Sequence, residues 1–81
     1  MSRYTADRAD GTWVAYGLDH ALGWFCDSFD AQGEIIKEEC TLFTGLGRAK
    51  LITILETTDA PKAHISAIAL DLDPGDPQGD F

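Results

Sequence analysis

The stretch GWFCDSFDAQGEIIKEECTLF, Gly23 to Phe43, decides the fold. Two runs rich in the aromatic and branched residues that strands favour flank Ala31-Gln32-Gly33. A three-residue connection ending in glycine suits a type I turn closed by a bulge. Gly33 would take the left-handed conformation, which glycine adopts at no steric cost. That turn sets Asp30 opposite Glu34, Phe29 opposite Ile35, Asp27 opposite Lys37 and Trp24 opposite Cys40. A two-residue turn would instead set Asp27 against Glu38, a like-charge pair that destabilises a sheet. The three-residue turn predicts one face, Leu22, Trp24, Cys26, Ile36, Cys40 and Leu42, packed on helices. The other face, Phe25, Asp27, Phe29, Ile35, Lys37 and Glu39, stays half-wet.

Working outward, Val14, Tyr16 and Leu18 alternate with Trp13, Ala15 and Gly17, so Thr12 to Leu18 reads as a preceding strand. Residues 1–11 are polar and without periodicity, which predicts a frayed lead-in. Downstream, Thr44-Gly45-Leu46-Gly47 breaks the third strand and offers Thr44 as a helix N-cap. Apolar residues at helical spacing run from Leu46 to Leu55. Asp59 can cap a second helix, with Pro61 in the first turn where a missing N–H costs nothing. Ile65, Ile68, Ala69 and Leu72 form its stripe, although Ile68, Leu70 and Leu72 would also fit a fourth strand. Asp73-Pro74-Gly75-Asp76-Pro77 then stops regular structure, and residues 73–81 read as a loose acidic tail. The expectation is an α+β fold: a three-stranded antiparallel meander packed on one face by two short helices.

The 81 residues suffice for a single domain, residues 1–81 with a folded core over 12–72, and 44% hydrophobic content excludes disorder throughout. No apolar run exceeds four residues, so no membrane helix is expected. The polar start Met1–Thr12 lacks the apolar core of a signal peptide, which predicts a cytoplasmic protein. In that reducing compartment Cys26 and Cys40 are expected as free thiols.

Net charge is −8, with residues 1–43 at −5, residues 44–70 at +1 and residues 71–81 at −4. Such a field repels nucleic acid and anionic membrane and attracts basic surfaces. Catalytic and cofactor chemistry finds no foothold. No phosphate loop, nucleophile elbow or dinucleotide fingerprint occurs, and the acids beside Cys26 and Cys40 oppose a thiolate nucleophile. His20, Cys26, Cys40 and His64 are spaced too widely for a structural zinc site. Asp71 to Asp76 departs from a calcium loop at its fifth and sixth positions. The expectation is therefore no enzyme, no metal and no cofactor.

Five carboxylates remain on the hairpin: Asp27, Asp30, Glu34, Glu38 and Glu39. Alternate strand residues lie about 6.8 Å apart, on the order of the spacing of successive backbone phosphates, so such a surface can imitate nucleic acid to a basic groove. Charge on a strand also protects an exposed edge against aggregation. Asp19 and His20 sit in the connection between the first two strands, a position that suits a partner contact as well as turn chemistry.

In size, acidity and lack of a catalytic motif the whole chain resembles the small inhibitors made by phages and mobile elements, including the DNA-mimicking anti-CRISPR proteins. The resemblance is one of profile, with no shared motif, and it assigns no site residue. It implies a non-enzymatic protein-binding module that docks a carboxylate-rich face on a basic, nucleic-acid-binding partner. The alternative is a homodimer or larger homo-oligomer, a structural or accessory domain burying the Phe25, Phe29 and Ile35 face.

Overall fold

In the computed structural model, which describes residues 2–75, four antiparallel strands are followed by three helices. The strands are β1 (Tyr4–Asp7), β2 (Trp13–Asp19), β3 (Gly23–Phe29) and β4 (Ile35–Cys40), hydrogen-bonded in sequence order. The helices are α1 (Thr41–Thr44), α2 (Arg48–Leu55) and α3 (Lys62–Ala69). The α+β class holds, and residues 62–69 are helical rather than a fourth strand. The additional strand comes from the other end. Residues expected to fray contribute β1, whose Tyr4 and Ala6 pair with Tyr16 and Val14 and extend the apolar face. Of the tail, only residues up to Gly75 are described, so the expectation for 76–81 lies outside the described residues. No helix among the described residues is long and apolar enough to cross a membrane.

One face of the sheet carries Ala6, Val14, Tyr16, Trp24 and Cys26, and against it pack Leu46, Leu51, Leu55 and Ile68. Leu51 and Leu55 are one helical turn apart on α2, and Ile68 meets them from α3. Tyr16, Val14, Leu51, Leu55 and Ile68 are all completely buried. Burying a side chain of this size contributes about 1.5–3 kcal/mol, so this layer is what holds the helices to the sheet.

The helix ends are tied down by contacts that local cap rules do not supply. Arg48, at the start of α2, donates from Nη1 to the carbonyls of Ala69 (2.9 Å) and Ile68 (3.4 Å), placing a cation at the negative end of α3. Asp71 accepts from the Trp24 indole N–H at 3.3 Å, which joins the end of α3 to the sheet. Asp59 does not cap α3, whose N-cap is Pro61. Its carboxylate accepts from the Asp7 N–H (2.7 Å) and its own N–H donates to the Asp7 carbonyl (2.9 Å). The loop between α2 and α3 is thereby clamped to β1.

The expected turn is present. Gly33 has φ 85°, its N–H donates to the Asp30 carbonyl at 3.0 Å, and Phe29 faces Ile35. Beyond that pair the expected register fails. Ser28 faces Lys37, Asp27 faces Glu38, Cys26 faces Glu39 and Phe25 faces Cys40. There are four steps from Phe29 back to Phe25 but five from Ile35 to Cys40, so one residue of β4 bulges out beside Ser28 and Phe29.

The far end of the strand is held as well. Cys40 is the N-cap of α1, its Sγ accepting the Phe43 N–H at 3.3 Å. Thr44, expected to cap the following helix, bonds instead to both the Cys40 N–H and the Cys40 carbonyl through Oγ1 (3.0 Å each). The Leu42 N–H donates to the Leu22 carbonyl at 3.0 Å, so this end is held to the start of β3 as the turn holds the other, and the bulge takes up the extra residue between them. Two expected core residues are therefore outside it, with Ile36 59% and Leu42 62% exposed. Glu39 moves the other way, onto the helix-packed face at 8% exposure, where its Oε1 accepts from Lys50 Nζ at 2.6 Å. Lys37 stands 3.8 Å from the same oxygen. The two cysteines are both free and buried, and they lie opposite successive residues of neighbouring strands, hence on opposite faces of the sheet.

A candidate acidic groove

The helix-free face of the sheet is not flat. Along it, β2 offers Ala15 and Gly17 opposite Asp27 and Phe25. The missing side chain at Gly17 leaves room for the segment before β1 to run close alongside β2. A Cβ at Gly17 would collide with the Ser2 carbonyl, so glycine is what permits that approach. Ser2 is fixed there by its N–H, which donates to the Leu18 carbonyl at 2.9 Å. Arg3 then reaches Phe25, its guanidinium 5.9 Å from the ring centroid, and stands 3.8 Å from the Asp27 carboxylate.

Between this segment and α1 runs an open groove of about 530 Å³. Phe25 and Cys40, a facing pair, form its floor at 8% and 7% exposure. Phe43 on α1 forms one wall and is 77% exposed, the most exposed large apolar side chain among the described residues. Leu22 and Asp19 close one end, and Asp27 and Glu38 stand together on the rim.

The electrostatics of the rim follow from the bulge. Asp27 and Glu38 are directly opposite one another, the arrangement disfavoured at the level of sequence. Burial pushes the Asp27 carboxyl above its ordinary 3.8, the Glu38 charge pushes it further, and Arg3 pulls it partly back. The groove thus pairs an aromatic floor and wall with more negative charge than the single guanidinium of Arg3 offsets. Chemically it suits an apolar side chain next to a cation.

Of the seven residues expected at a binding site, the structure brings Asp19, Asp27 and Glu38 together here, with Glu39 touching the lining. Asp19 is also a turn residue: its Oδ1 accepts from the N–H groups of Ala21 (2.7 Å) and Leu22 (3.0 Å), which hold its carboxyl below the usual range. His20 is exposed beside it and does not line the groove. Asp30 closes the hairpin turn by accepting from the Gln32 and Glu34 N–H groups, both at 2.9 Å. Glu34 is exposed on that turn, away from the groove, and the Glu39 carboxylate is committed to Lys50. A single sheet of five carboxylates is therefore not what forms. Arg3 and Phe43 are the residues the sequence reading missed. Arg3 lay in a segment read as frayed, and Phe43 in a strand that ends three residues earlier than expected.

On the helix-packed side, the Tyr16 hydroxyl and His64 Nδ1 lie 2.7 Å apart, and burial raises the Tyr16 phenol to about 12. No group of three or more His, Cys, Asp or Glu among the described residues is placed to hold a metal ion. Set beside protein-family models, curated proteins and solved structures, the chain matches none of them.

Proposed function

We propose that this chain is a non-enzymatic protein-binding module whose acidic groove takes a basic segment of a partner protein. The observation that carries the reading is the pairing of Asp27 with Glu38 in the same groove as the exposed Phe43. Like charges held side by side cost stability, and a cation supplied by a partner relieves that cost. The net charge of −8 supports the same reading at longer range, because it steers basic proteins inward and nucleic acid away. An inhibitor that occupies the basic surface of a nucleic-acid-binding protein is the fuller form of this proposal.

The test is fluorescence anisotropy with labelled nonapeptides that alternate a basic residue with leucine, one series with lysine and one with arginine. At least one series should bind, and binding should weaken as salt shortens the screening length from about 10 Å at 0.1 M to about 3 Å at 1 M. Glu38→Lys should reduce affinity by about tenfold or more, the equivalent of about 1.4 kcal/mol. Glu34→Lys makes the same change of charge away from the groove and should have little effect. Equal responses of the two variants would refute the groove as the site.

A second reading, self-association, draws on a neighbouring patch. Trp13 and Phe29 stack at 4.1 Å, and Ile35, which faces Phe29, is 53% exposed. Phe25, the third residue of the expected oligomer face, is already covered at 8% exposure. Sedimentation equilibrium of the wild type and of Ile35→Ser distinguishes this reading, which requires a wild-type dimer that the substitution dissolves.

A further inference from the structure

Arg3 already does in this molecule what a partner's basic side chain would have to do. Its guanidinium lies over the Phe25 ring at 5.9 Å and faces the Asp27 carboxylate at 3.8 Å, inside the groove. Yet it is held loosely. The separation from Asp27 exceeds hydrogen-bond length, and the Arg3 side chain is 58% exposed. We propose that the groove is a receptor for an arginine side chain of the partner, and that Arg3 is its intramolecular occupant, displaced when the partner binds. This deepens the proposed function and rests on it.

Three observations select arginine over a generic cation. The guanidinium is planar and weakly hydrated, so it can lie on an aromatic ring, and Phe43 offers an open ring beside the covered Phe25. Asp27 and Glu38 face one another across neighbouring strands, and a five-donor fork can reach two carboxylates where an ammonium reaches one well. The chain's own solution to this cleft is also an arginine.

Displacement gives the groove a built-in threshold. An incoming side chain must outcompete a contact that is always present at high local concentration, which lowers apparent affinity by the fraction of time Arg3 occupies the cleft. Only a segment that adds further contacts, such as an apolar residue against Phe43, will bind well. A free guanidinium will not.

The experiment uses the full chain and the two nonapeptide series, with a citrulline peptide as the uncharged isostere of arginine. The arginine peptide should bind more tightly than the lysine peptide, and the citrulline peptide should bind at least about tenfold more weakly than arginine. Arg3→Gln should strengthen arginine-peptide binding by about three- to tenfold, the range expected for removing a weak exposed ion pair and cation–π contact. Lys62→Gln makes the same change of net charge on α3 and should shift affinity less than twofold. In the wild type, the Arg3 side-chain protons should be shifted upfield by the Phe25 ring and return to random-coil positions when the arginine peptide saturates the protein.

Glu38-dependent binding that Arg3→Gln leaves unchanged or weakens would overturn displacement and leave the acidic-groove reading standing. So would an Arg3 upfield shift that persists at saturation. Equal binding of the lysine and arginine peptides would overturn the arginine preference in the same way. Failure of every peptide to bind either the wild type or Arg3→Gln would sink both readings together.

Discussion

Reversing one charge at Glu38 separates a binding surface from an ordinary one, because it should move stability and affinity in opposite directions. Glu38 and Asp27 are facing residues on β4 and β3, which places their carboxylates about 6 Å apart. With an effective dielectric between about 40 and 80, two unit charges at that distance repel by about 0.7–1.4 kcal/mol. Glu38→Lys replaces this with an attraction of similar size. Glu38 is exposed, so solvent and salt reduce the swing to about 1 kcal/mol in favour of the folded state. With a urea m-value of about 1 kcal/mol/M for so small a domain, the unfolding midpoint should rise by about 1 M.

The same variant should lose basic-peptide binding by about tenfold or more. The Asp27 carboxyl, followed by carbon NMR, should titrate lower than in the wild type because its second-largest perturber has changed sign. The pH dependence has a definite direction. A carboxyl whose folded pKa exceeds its unfolded 3.8 favours the folded state at low pH, and that contribution is lost as pH rises through the folded value. Glu38→Lys should flatten this slope. A fall in the urea midpoint would refute the account of the rim as electrostatically frustrated. A rise in the midpoint with unchanged affinity would refute the link between that frustration and binding.

Lys50→Met should lower stability by about 1–3 kcal/mol in urea unfolding, since it leaves the buried Glu39 carboxylate without its 2.6 Å partner, whereas Lys50→Arg should recover most of the loss. Thiol titration of the unfolded, unreduced chain should count two free cysteines. In the folded protein at pH 8 Cys26 should resist alkylation, because burial, with Glu39 and Asp27 nearby, raises its thiol to about 11. Tyr16, raised from 10 to about 12 chiefly by burial, should contribute no phenolate absorbance below pH 11, and stability should fall as pH rises from 10 to 12. In Tyr16→Phe that loss should disappear, along with about 1 kcal/mol from the bond to His64.

The sequence was most readable where the physics is local. Period-two alternation placed Val14, Tyr16 and Leu18 on one face, and the glycine at position 33 identified the hairpin turn to the residue. Helical spacing located α2 and α3, and the proline at position 61 marked the start of the latter. The rest depended on contacts between distant residues. No local rule predicts that Cys40 caps a helical turn through its sulfur, or that β4 carries a bulge. Without that bulge, Glu39 is on the wrong face and Asp27 faces a lysine. The bulge is also what builds the rim of the groove, so the like-charge pair rejected as unfavourable became the centre of the candidate site. Tyr4 and Ala6 lie in a segment read as without periodicity, because two apolar residues among polar neighbours give too little signal for a strand until Asp59 and the apolar face of β2 are in place to receive it.

The clamp between Asp7 and Asp59 has a consequence for the order in which the chain assembles. It joins residues 52 positions apart, and the closure entropy of that loop must be overcome before its two hydrogen bonds form. The hairpins of β2, β3 and β4 close over connections of a few residues and can form while the chain is still being synthesised. The first strand leaves the ribosome earliest, yet its outer edge stays open until the loop after α2 has emerged. Ser2 and Arg3 precede that strand. Their wall of the cleft is set by pairing with β2, through the Leu18 carbonyl, and can form with the hairpins, whereas the strand behind it is locked only when the C-terminal half has folded.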